Sequence, residues 1–434
     1  MQRRVNFYTL GCKLNYSESS TLARQFVEGG FIRVEENQPS DIAVINTCSV
    51  TEHSDKKCRN IIRKIHRTNP DAIIAVTGCY AQLKPLDVAA IEGVDIVLSN
   101  NDKIQLYSKV SSLLAKRAGE QAQVYSCSSE EITSFFRAFS SGDRTRAFLK
   151  VQDGCDYKCS YCTIHYARGA SRNIAIEDVI SQAHKVAQNA QREIVITGIN
   201  TGDFGRTTGE KFIDLLRALD AVEGIERYRI SSIEPNLLTD EIIDFCAQST
   251  KFQPHFHIPL QSGSDMTLGA MRRRYTAAKF EQRIDKIRSV MSDAFIGIDV
   301  IVGFPGESDE QFMESYNLLK RIRPAFLHIF PFSVRKGTPA AEMSGQISPQ
   351  IKSERAAKLG ELCDELHREF VSRFVGRECQ VLFESVVRGG EMFGYSENYC
   401  RVRAAYDSTL INQIVTVIVD KIDDSGDLIG VVKK

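Results

Sequence analysis

The stretch "VQDGCDYKCSYC", residues 151–162, places three cysteines in a C-x-x-x-C-x-x-C pattern, namely Cys155, Cys159 and Cys162. A structural zinc site is normally closed by four ligands, and thiolates usually hold all the irons of a [4Fe–4S] cluster. Three thiolates can hold three irons of such a cluster and leave the fourth open to a chelating ligand. The pattern directly follows a predicted strand, so it also marks where a series of β/α units begins.

Six strand candidates, separated by amphipathic helical patterns, make up this series. They are "RAFLKVQ" (146–152), "REIVITGIN" (192–200), "RYRISSIEP" (227–235), "PHFHIPLQ" (254–261), "FIGIDVIVGF" (295–304) and "AFLHIFPF" (325–332). Six β/α units fit an open, partial (β/α)6 barrel, to which we assign residues 143–370. A long helical pattern at 352–374 leads out of it.

The segments on either side have different patterns. Residues 1–117 alternate short apolar strands with helices, which predicts a parallel α/β sheet. Residues 118–142 are polar and are predicted to be a linker. Residues 371–434 carry short strands separated by turns, which predicts a small β-barrel. The predicted fold is therefore α/β, with a parallel sheet, a partial barrel and a small β-barrel in chain order.

Composition limits the classes of protein and partner. Lys+Arg and Asp+Glu both number 55, so a nucleic-acid partner must be held by a local basic patch. No apolar run approaches the ~20 residues of a membrane span, and the N-terminal segment lacks the apolar core of a signal peptide. Twelve cysteines without such a signal indicate a reducing, cytoplasmic location, where clustered cysteines are typical metal ligands.

A second cysteine trio is dispersed along the first segment. Cys12, Cys48 and Cys79 each directly follow a predicted strand. Because the carboxyl ends of parallel strands lie along one edge, these thiols can converge into a second metal site. The alternative is three buried structural cysteines. The remaining cysteines follow no such pattern and are left out: Cys58, Cys127, Cys246, Cys363, Cys379 and Cys400.

S-adenosylmethionine suits the open iron, since its amino and carboxylate groups chelate and one electron then cleaves its sulfonium. Tyr161 is placed to pack on the adenine, and further cofactor-binding candidates lie at the ends of later strands, where barrel enzymes keep their chemistry. These candidates are Thr197, Gly198, Ser231, Ser232, Glu234, Gln261, Val302 and Gly303. For each one, an ordinary turn or core position is the alternative.

Basic side chains are concentrated in the helical pattern "SDKKCRNIIRKIHR", residues 54–67. Arg59, Arg63 and Arg67 recur every four residues and so share one face of the helix. We take them as RNA-binding candidates that contact phosphates. A solvated helix face is the alternative. The dense "RRR" at 272–274 is a further phosphate-binding candidate.

Several longer motifs resemble those of the radical S-adenosylmethionine methylthiotransferase family. They are "YTLGCKLNYSES", "VQDGCDYKCSYCTIHYARGASRN", "VITGIN", "SSIEP", "HIPLQSGSD", "MRRRYT" and "IDVIVGFPGE". The terminal barrel is similar to the family's TRAM domain. The resemblance implies two [4Fe–4S] clusters, the second held by Cys12, Cys48 and Cys79, and two S-adenosylmethionine molecules, one as methyl donor and one as radical source.

The "QDGC" and "YARGASRN" segments look most like the members that modify carbon-2 of N6-threonylcarbamoyladenosine at tRNA position 37. The resemblance also implies an electron donor such as a flavodoxin or ferredoxin, a sulfur source and no membrane partner. Isopentenyladenosine and a ribosomal-protein aspartate are the alternative substrates. A non-catalytic iron–sulfur RNA-binding protein is the alternative of another class. His165 stands where relatives have proline, which predicts a change in the loop beside the cluster.

Overall fold

The computed structural model describes residues 2–113, 121–142 and 144–433. The strands are β1 Arg4–Thr9, β2 Ile32–Arg33, β3 Ile42–Thr47, β4 Ile73–Gly78, β5 Val94–Leu98, β6 Gln123–Tyr125, β7 Arg146–Lys150, β8 Gln152–Asp153, β9 Arg172–Asn173, β10 Glu193–Thr197, β11 Arg227–Ile230, β12 His255–Gln261, β13 Phe295–Val302, β14 Phe326–Pro331, β15 Glu378–Arg388, β16 Glu391–Ser396, β17 Arg401–Ala405, β18 Ile414–Ile422 and β19 Leu428–Val432. The α-helices are α1 Lys13–Glu28, α2 Glu52–Thr68, α3 Cys79–Leu83, α4 Pro85–Ala89, α5 Leu106–Leu113, α6 Ile164–Arg168, α7 Ile176–Gln188, α8 Phe212–Asp220, α9 Asp240–Gln248, α10 Asp265–Ala270, α11 Ala277–Val290, α12 Asp309–Ile322, α13 Pro339–Glu342 and α14 Pro349–Ser372.

The N-terminal sheet is six-stranded and parallel, in the order β2-β1-β3-β4-β5-β6. Its central strand β3 is buried at every position because helices cover both faces. The four predicted strands are present, and two short edge strands were not predicted. One of these, β6, falls within residues 118–142, the predicted linker. The predicted boundary at residues 117–118 lies outside the described residues.

All six predicted strands of the second series are present and lie side by side in chain order. β7, β10 and β11 form one parallel sheet, and β12, β13 and β14 form another. The Ile233 N–H bonds to the His257 carbonyl at 3.1 Å, which joins the two sheets beside β11 and β12. This arrangement is the predicted open barrel, and we call it the half-barrel.

Alternation along its strands separates an outer face from a lumen. On β13, Ile298 and Val300 pack into the core under the surrounding helices, whereas the intervening Asp299 and the following Ile301 line a cavity on the inner face. Residues of β12 and β14 alternate in the same way. The side chains of the inner face are therefore free to form a site.

The C-terminal barrel is closed by five antiparallel and parallel pairings in the order β15-β16-β17-β19-β18. Sequence patterns predicted four of these strands and missed β16. Gly394 interrupts its pattern, and a Cβ there would lie 2.4 Å from the Leu382 carbonyl oxygen of β15. Close approach of two backbones thus explains a glycine inside a strand.

The C-terminal barrel closes one end of the half-barrel. The Tyr399 ring lies 4.4 Å from the ring of His255 on β12, and Arg229 of β11 donates to the Ser396 carbonyl at 2.7 Å. Among helices within the described ranges, none is long and apolar enough to cross a membrane.

Candidate iron–sulfur and substrate site

The first cysteine trio lies in the loop after β8, and all three thiols are free of disulfides. Backbone N–H groups point at two of the sulfurs, from Tyr157 to Cys155 Sγ and from Ile164 to Cys162 Sγ, both at 3.4 Å. The loop is held from behind, since the Cys155 N–H bonds to the Gly169 carbonyl at 3.0 Å. Local backbone geometry therefore orients the loop and supplies donors that stabilise thiolates.

Burial opposes ionisation of these thiols in the absence of a metal. It raises the pKa of Cys155 and of Cys162 to about 12, although the N–H donors work in the opposite direction. Thiolate is the ligand form, so a bound metal has to displace the protons. Three half-buried or buried thiols with N–H donors to sulfur and no disulfide fit three ligands of an iron–sulfur cluster.

An arginine supports the third thiol of this trio. Arg273 donates to Cys159 Sγ at 3.2 Å and pairs with Glu234, and its side chain is only 3% exposed. Burial raises the pKa of Glu234 despite this arginine. Arg273 belongs to the "RRR" segment, for which the sequence predicted a phosphate-binding patch. Its burial against Cys159 and Glu234 assigns it to the cluster loop instead.

The second trio lies at the carboxyl ends of three adjacent strands, β1, β3 and β4. Gly11 and Gly78 precede two of its cysteines, and both have φ of +99°. A Cβ at Gly11 would lie 2.9 Å from Cys48 Sγ, which shows how closely the turn approaches that thiol. Burial, then Cys79, then Cys12 raise the pKa of Cys48 to about 11. The three thiols are therefore near enough to interact.

Buried positive charge lies against the second trio. Arg168 of α6 bonds to Glu18 and Asp153 at 3.0 Å each, and its guanidinium also favours the Cys79 thiolate. Sequence reasoning missed this network because charged residues are usually exposed. Its buried members are two carboxylates and four cations: Glu18, Asp153, Lys103, Lys150, Arg168 and Arg172. The excess positive charge suits a group of thiolate ligands.

A cavity of about 240 Å³ lies between the two trios. Tyr161, two residues after Cys159, lines one side, and Val50 and Thr51, which follow Cys48, line the other. Gln261 also lines it, with φ of +65° at a bulge in β12, a strained conformation for a residue other than glycine. The structure therefore brings two of the cofactor candidates, Tyr161 and Gln261, to one cavity.

The other cofactor candidates do not line this cavity, and some of their polar groups are already bonded. The Thr197 hydroxyl donates to the Val195 carbonyl at 3.0 Å, and the Gly303 N–H donates to Glu307 at 2.6 Å. The buried Ser231 hydroxyl has no partner among the described residues. The candidates outside the cavity are Thr197, Gly198, Ser231, Ser232, Glu234, Val302 and Gly303.

A larger groove of about 760 Å³ runs between α2 and the loop after β14. Arg59 lines it and donates to the Tyr80 hydroxyl at 3.1 Å, while Arg335 pairs with the buried Asp55 at 2.9 Å. The adjoining residues Thr51 and Glu52 line the cavity and the groove respectively, so the two are neighbours. Arg63 and Arg67 are exposed further along α2.

His165 occupies the first turn of α6, and its ring centroid lies 3.8 Å from that of Tyr166. Proline is tolerated in the first helical turn because the N–H groups there have no intrahelical partner. The histidine therefore fits the same helical turn, and its carbonyl accepts a hydrogen bond from the Gly169 N–H at 3.0 Å.

Comparisons with known proteins agree with these features. Two family descriptions match, "Radical SAM superfamily" over residues 149–319 and "Uncharacterized protein family UPF0004" over residues 4–99. A solved radical S-adenosylmethionine methyltransferase, TsrM from Kitasatospora setae, has a TM-score of 0.58 at 13% identity, covering 79% of this chain and 74% of that one. This likeness shows the fold.

Sequence relatives are much more similar. The threonylcarbamoyladenosine tRNA methylthiotransferase MtaB of Bacillus subtilis (strain 168) is 42% identical over 426 residues, 95% of this chain and 93% of the relative. A tRNA-2-methylthio-N(6)-dimethylallyladenosine synthase of Thermobifida fusca (strain YX) is 34% identical, over 88% of this chain and 78% of the relative. Family, fold and cysteine pattern lead to one conclusion: the chain belongs to the radical S-adenosylmethionine methylthiotransferases, and it is an enzyme of that type.

Proposed function

We propose that this enzyme attaches a methylthio group to carbon-2 of N6-threonylcarbamoyladenosine at position 37 of tRNA. The observation that carries the proposal is the cavity bounded on one side by Tyr161, beside the first trio, and on the other by Val50 and Thr51, beside the second. A substrate atom held there faces both sites. Carbon-2 of adenine carries no acidic proton, so general-base chemistry cannot reach it.

Two [4Fe–4S] clusters and two S-adenosylmethionine molecules are part of the proposal. Cys155, Cys159 and Cys162 hold the radical-generating cluster, and the second trio holds the auxiliary one. When bound, these groups supply a 5′-deoxyadenosyl radical and a methylated sulfur. The protein's own part is to orient the reactants and exclude side reactions. Arg273 offsets charge at Cys159, and Arg168 does so at Cys79.

The tRNA is proposed to dock over the groove beside the cavity. Cationic side chains of the groove include Arg59, Lys84 and Lys336, and the exposed Arg63 and Arg67 continue the same helix face. Phosphates contacted there leave the adjacent cavity for a single extruded base. The chain's neutral net charge makes such a local surface necessary.

The choice among bases follows the relatives. The B. subtilis relative is named for threonylcarbamoyladenosine, and its 42% identity exceeds the 34% of the relative named for dimethylallyladenosine. An electron donor such as a flavodoxin or ferredoxin and a sulfur source complete the proposed system.

Nucleoside mass spectrometry of tRNA tests the substrate. The reconstituted enzyme is incubated with reductant, sulfide and S-adenosylmethionine, and parallel tRNAs carry threonylcarbamoyl, isopentenyl or no modification. We expect a methylthio product on the threonylcarbamoyl tRNA. A product only on isopentenyladenosine would overturn the substrate and keep the chemistry. Cleavage of S-adenosylmethionine without any methylthio nucleoside would favour the ribosomal-protein aspartate, and no cleavage would favour a non-catalytic RNA-binding protein.

A further inference from the structure

A cluster of polar side chains lies on the inner face of the half-barrel. His257 of β12, Asp299 of β13 and His328 of β14 have donor and acceptor atoms that all lie within 4.8 Å of one another. His257 Nε2 lies 2.7 Å from Asp299 Oδ1, and the two histidine rings are 5.0 Å apart between centroids. None of the three served the function proposed so far.

Register explains why these residues meet. Asp299 pairs directly with His328 in the β13–β14 ladder, and His257 is two positions from Pro259, the partner of Asp299 on β12. All three therefore project from the same face of neighbouring strands. His328 is exposed, so the lumen is open to solvent and ligand at this depth.

A lysine from another part of the chain faces the same lumen. Lys13 begins α1 directly after Cys12, and its ammonium is near enough to lower the pKa of His328, after the larger effects of burial and of His257. The same ammonium acts on His255 and Tyr399 at the closed end of the lumen. Among the described ranges, we find no carboxylate within ion-pair distance of Lys13.

The cluster is continuous with the substrate cavity. Asp299 belongs to both, since it also lines the 240 Å³ cavity with Tyr161 and Gln261. A base seated in that cavity would have a substituent within reach of the cluster. Donors and one paired acceptor, rather than apolar side chains, would meet that substituent.

We propose that Lys13 and His328 bind the carboxylate of the threonylcarbamoyl group, while Asp299, held by His257, accepts a hydrogen bond from its hydroxyl or ureido N–H. This inference rests on the proposed function and names the residues that select the substituent. An ammonium and an imidazole N–H donate to a carboxylate, and a carboxylate accepts from neutral donors. A dimethylallyl group offers none of these partners, so it would leave the cluster desolvated and unpaired.

Binding of anticodon stem-loop RNA to the reconstituted enzyme tests this subsite. One RNA carries threonylcarbamoyladenosine, and a second carries the same group with its carboxylate converted to a carboxamide. The wild type should bind the carboxylate form about 10- to 100-fold more tightly, the range for a hydrogen bond to a charged group. His328→Phe and Lys13→Met should each remove most of this preference. Lys279→Met, on exposed helix α11, should leave it unchanged.

His328→Phe carries the test if Lys13→Met disturbs the neighbouring cysteine, because β14 contributes to neither trio. Equal affinity of the wild type for both RNAs would overturn the inference. So would an undiminished preference in His328→Phe. A metal ion beyond the iron of the clusters, bound by the wild type and lost in His328→Phe, would reassign the cluster as a metal site. Failure of the proposed function would look different: no methylthio product on any threonylcarbamoyl tRNA.

Discussion

Replacing Glu18 by glutamine should destabilise the protein strongly. Glu18 is 1% exposed and pairs with Lys103 at 2.5 Å and with Lys150 at 2.8 Å. Glu18 is the only ionic partner of Lys103 within the described part of the chain, and Lys103 is itself 1% exposed. Removing one partner of a buried pair typically costs about 3–5 kcal/mol, because the other charge stays buried and unpaired. We expect a loss of that size for Glu18→Gln.

Glu281→Gln provides the matched control. Glu281 pairs with Arg321 at 2.6 Å, a distance as short as that in the buried network, but the arginine is 58% exposed. Exposed pairs contribute about 0–1 kcal/mol because solvent screens them. Urea denaturation followed by circular dichroism measures both variants, with an unchanged slope as the condition for comparing free energies of unfolding. A loss for Glu18→Gln no larger than for Glu281→Gln would refute the reasoning.

Acid should narrow the difference between the wild type and Glu18→Gln. The cations Arg168, Lys103 and Lys150 hold the pKa of Glu18 well below its ordinary value of 4.5, against the opposing effect of burial. A carboxyl with a depressed folded-state pKa stabilises fully above the unfolded value and loses that contribution as the pH falls toward the folded value. A difference that stays constant from neutral pH to well below 4.5 would contradict this assignment.

Three further perturbations address other parts of the site. Gly78→Ala should cost more than about 1 kcal/mol and lower the iron bound by the second trio, because φ is +99° and a Cβ would lie 2.5 Å from the Thr47 carbonyl oxygen; iron analysis and urea denaturation measure it, and a fully stable, iron-replete variant would contradict it. Arg273→Lys keeps the charge but cannot bridge a thiolate and a carboxylate, so S-adenosylmethionine cleavage should fall at least about tenfold with a shifted cluster potential; an unchanged potential would sink the idea. Alanine at all three candidate arginines of α2 should lower the salt slope of tRNA binding by about 0.7–0.9 for each phosphate that the helix no longer binds, whereas Arg217→Ala on α8 should not; equal slopes would assign the helix to solvation.

Sequence patterns predicted the features that depend on strand periodicity. The half-barrel strands, and the placement of Cys12, Cys48 and Cys79 at neighbouring strand ends, follow from alternating apolar runs and from the geometry of parallel sheets. β16 was missed because Gly394 lowers the strand signal, and the reason for that glycine is the close approach of another strand. A local pattern does not reveal such an approach.

Charged residues were the main limit of the sequence reasoning. Arg273 was interpreted as part of a phosphate-binding patch, but it is buried against Cys159 and Glu234. Glu18 and Arg168 are 150 positions apart in the chain and meet only in the folded protein. The burial of such groups depends on partners from distant segments, and a single sequence does not contain that information.

Iron analysis of two triple-alanine variants, combined with assays of S-adenosylmethionine cleavage, tests the two-cluster account most directly. Alanine at Cys155, Cys159 and Cys162 should leave about four irons per chain, the content of one cluster, and abolish cleavage. Alanine at Cys12, Cys48 and Cys79 should also leave about four irons but retain cleavage. If the second variant keeps the full iron content of the wild type, its three cysteines hold no cluster, and the account of two facing sites is contradicted.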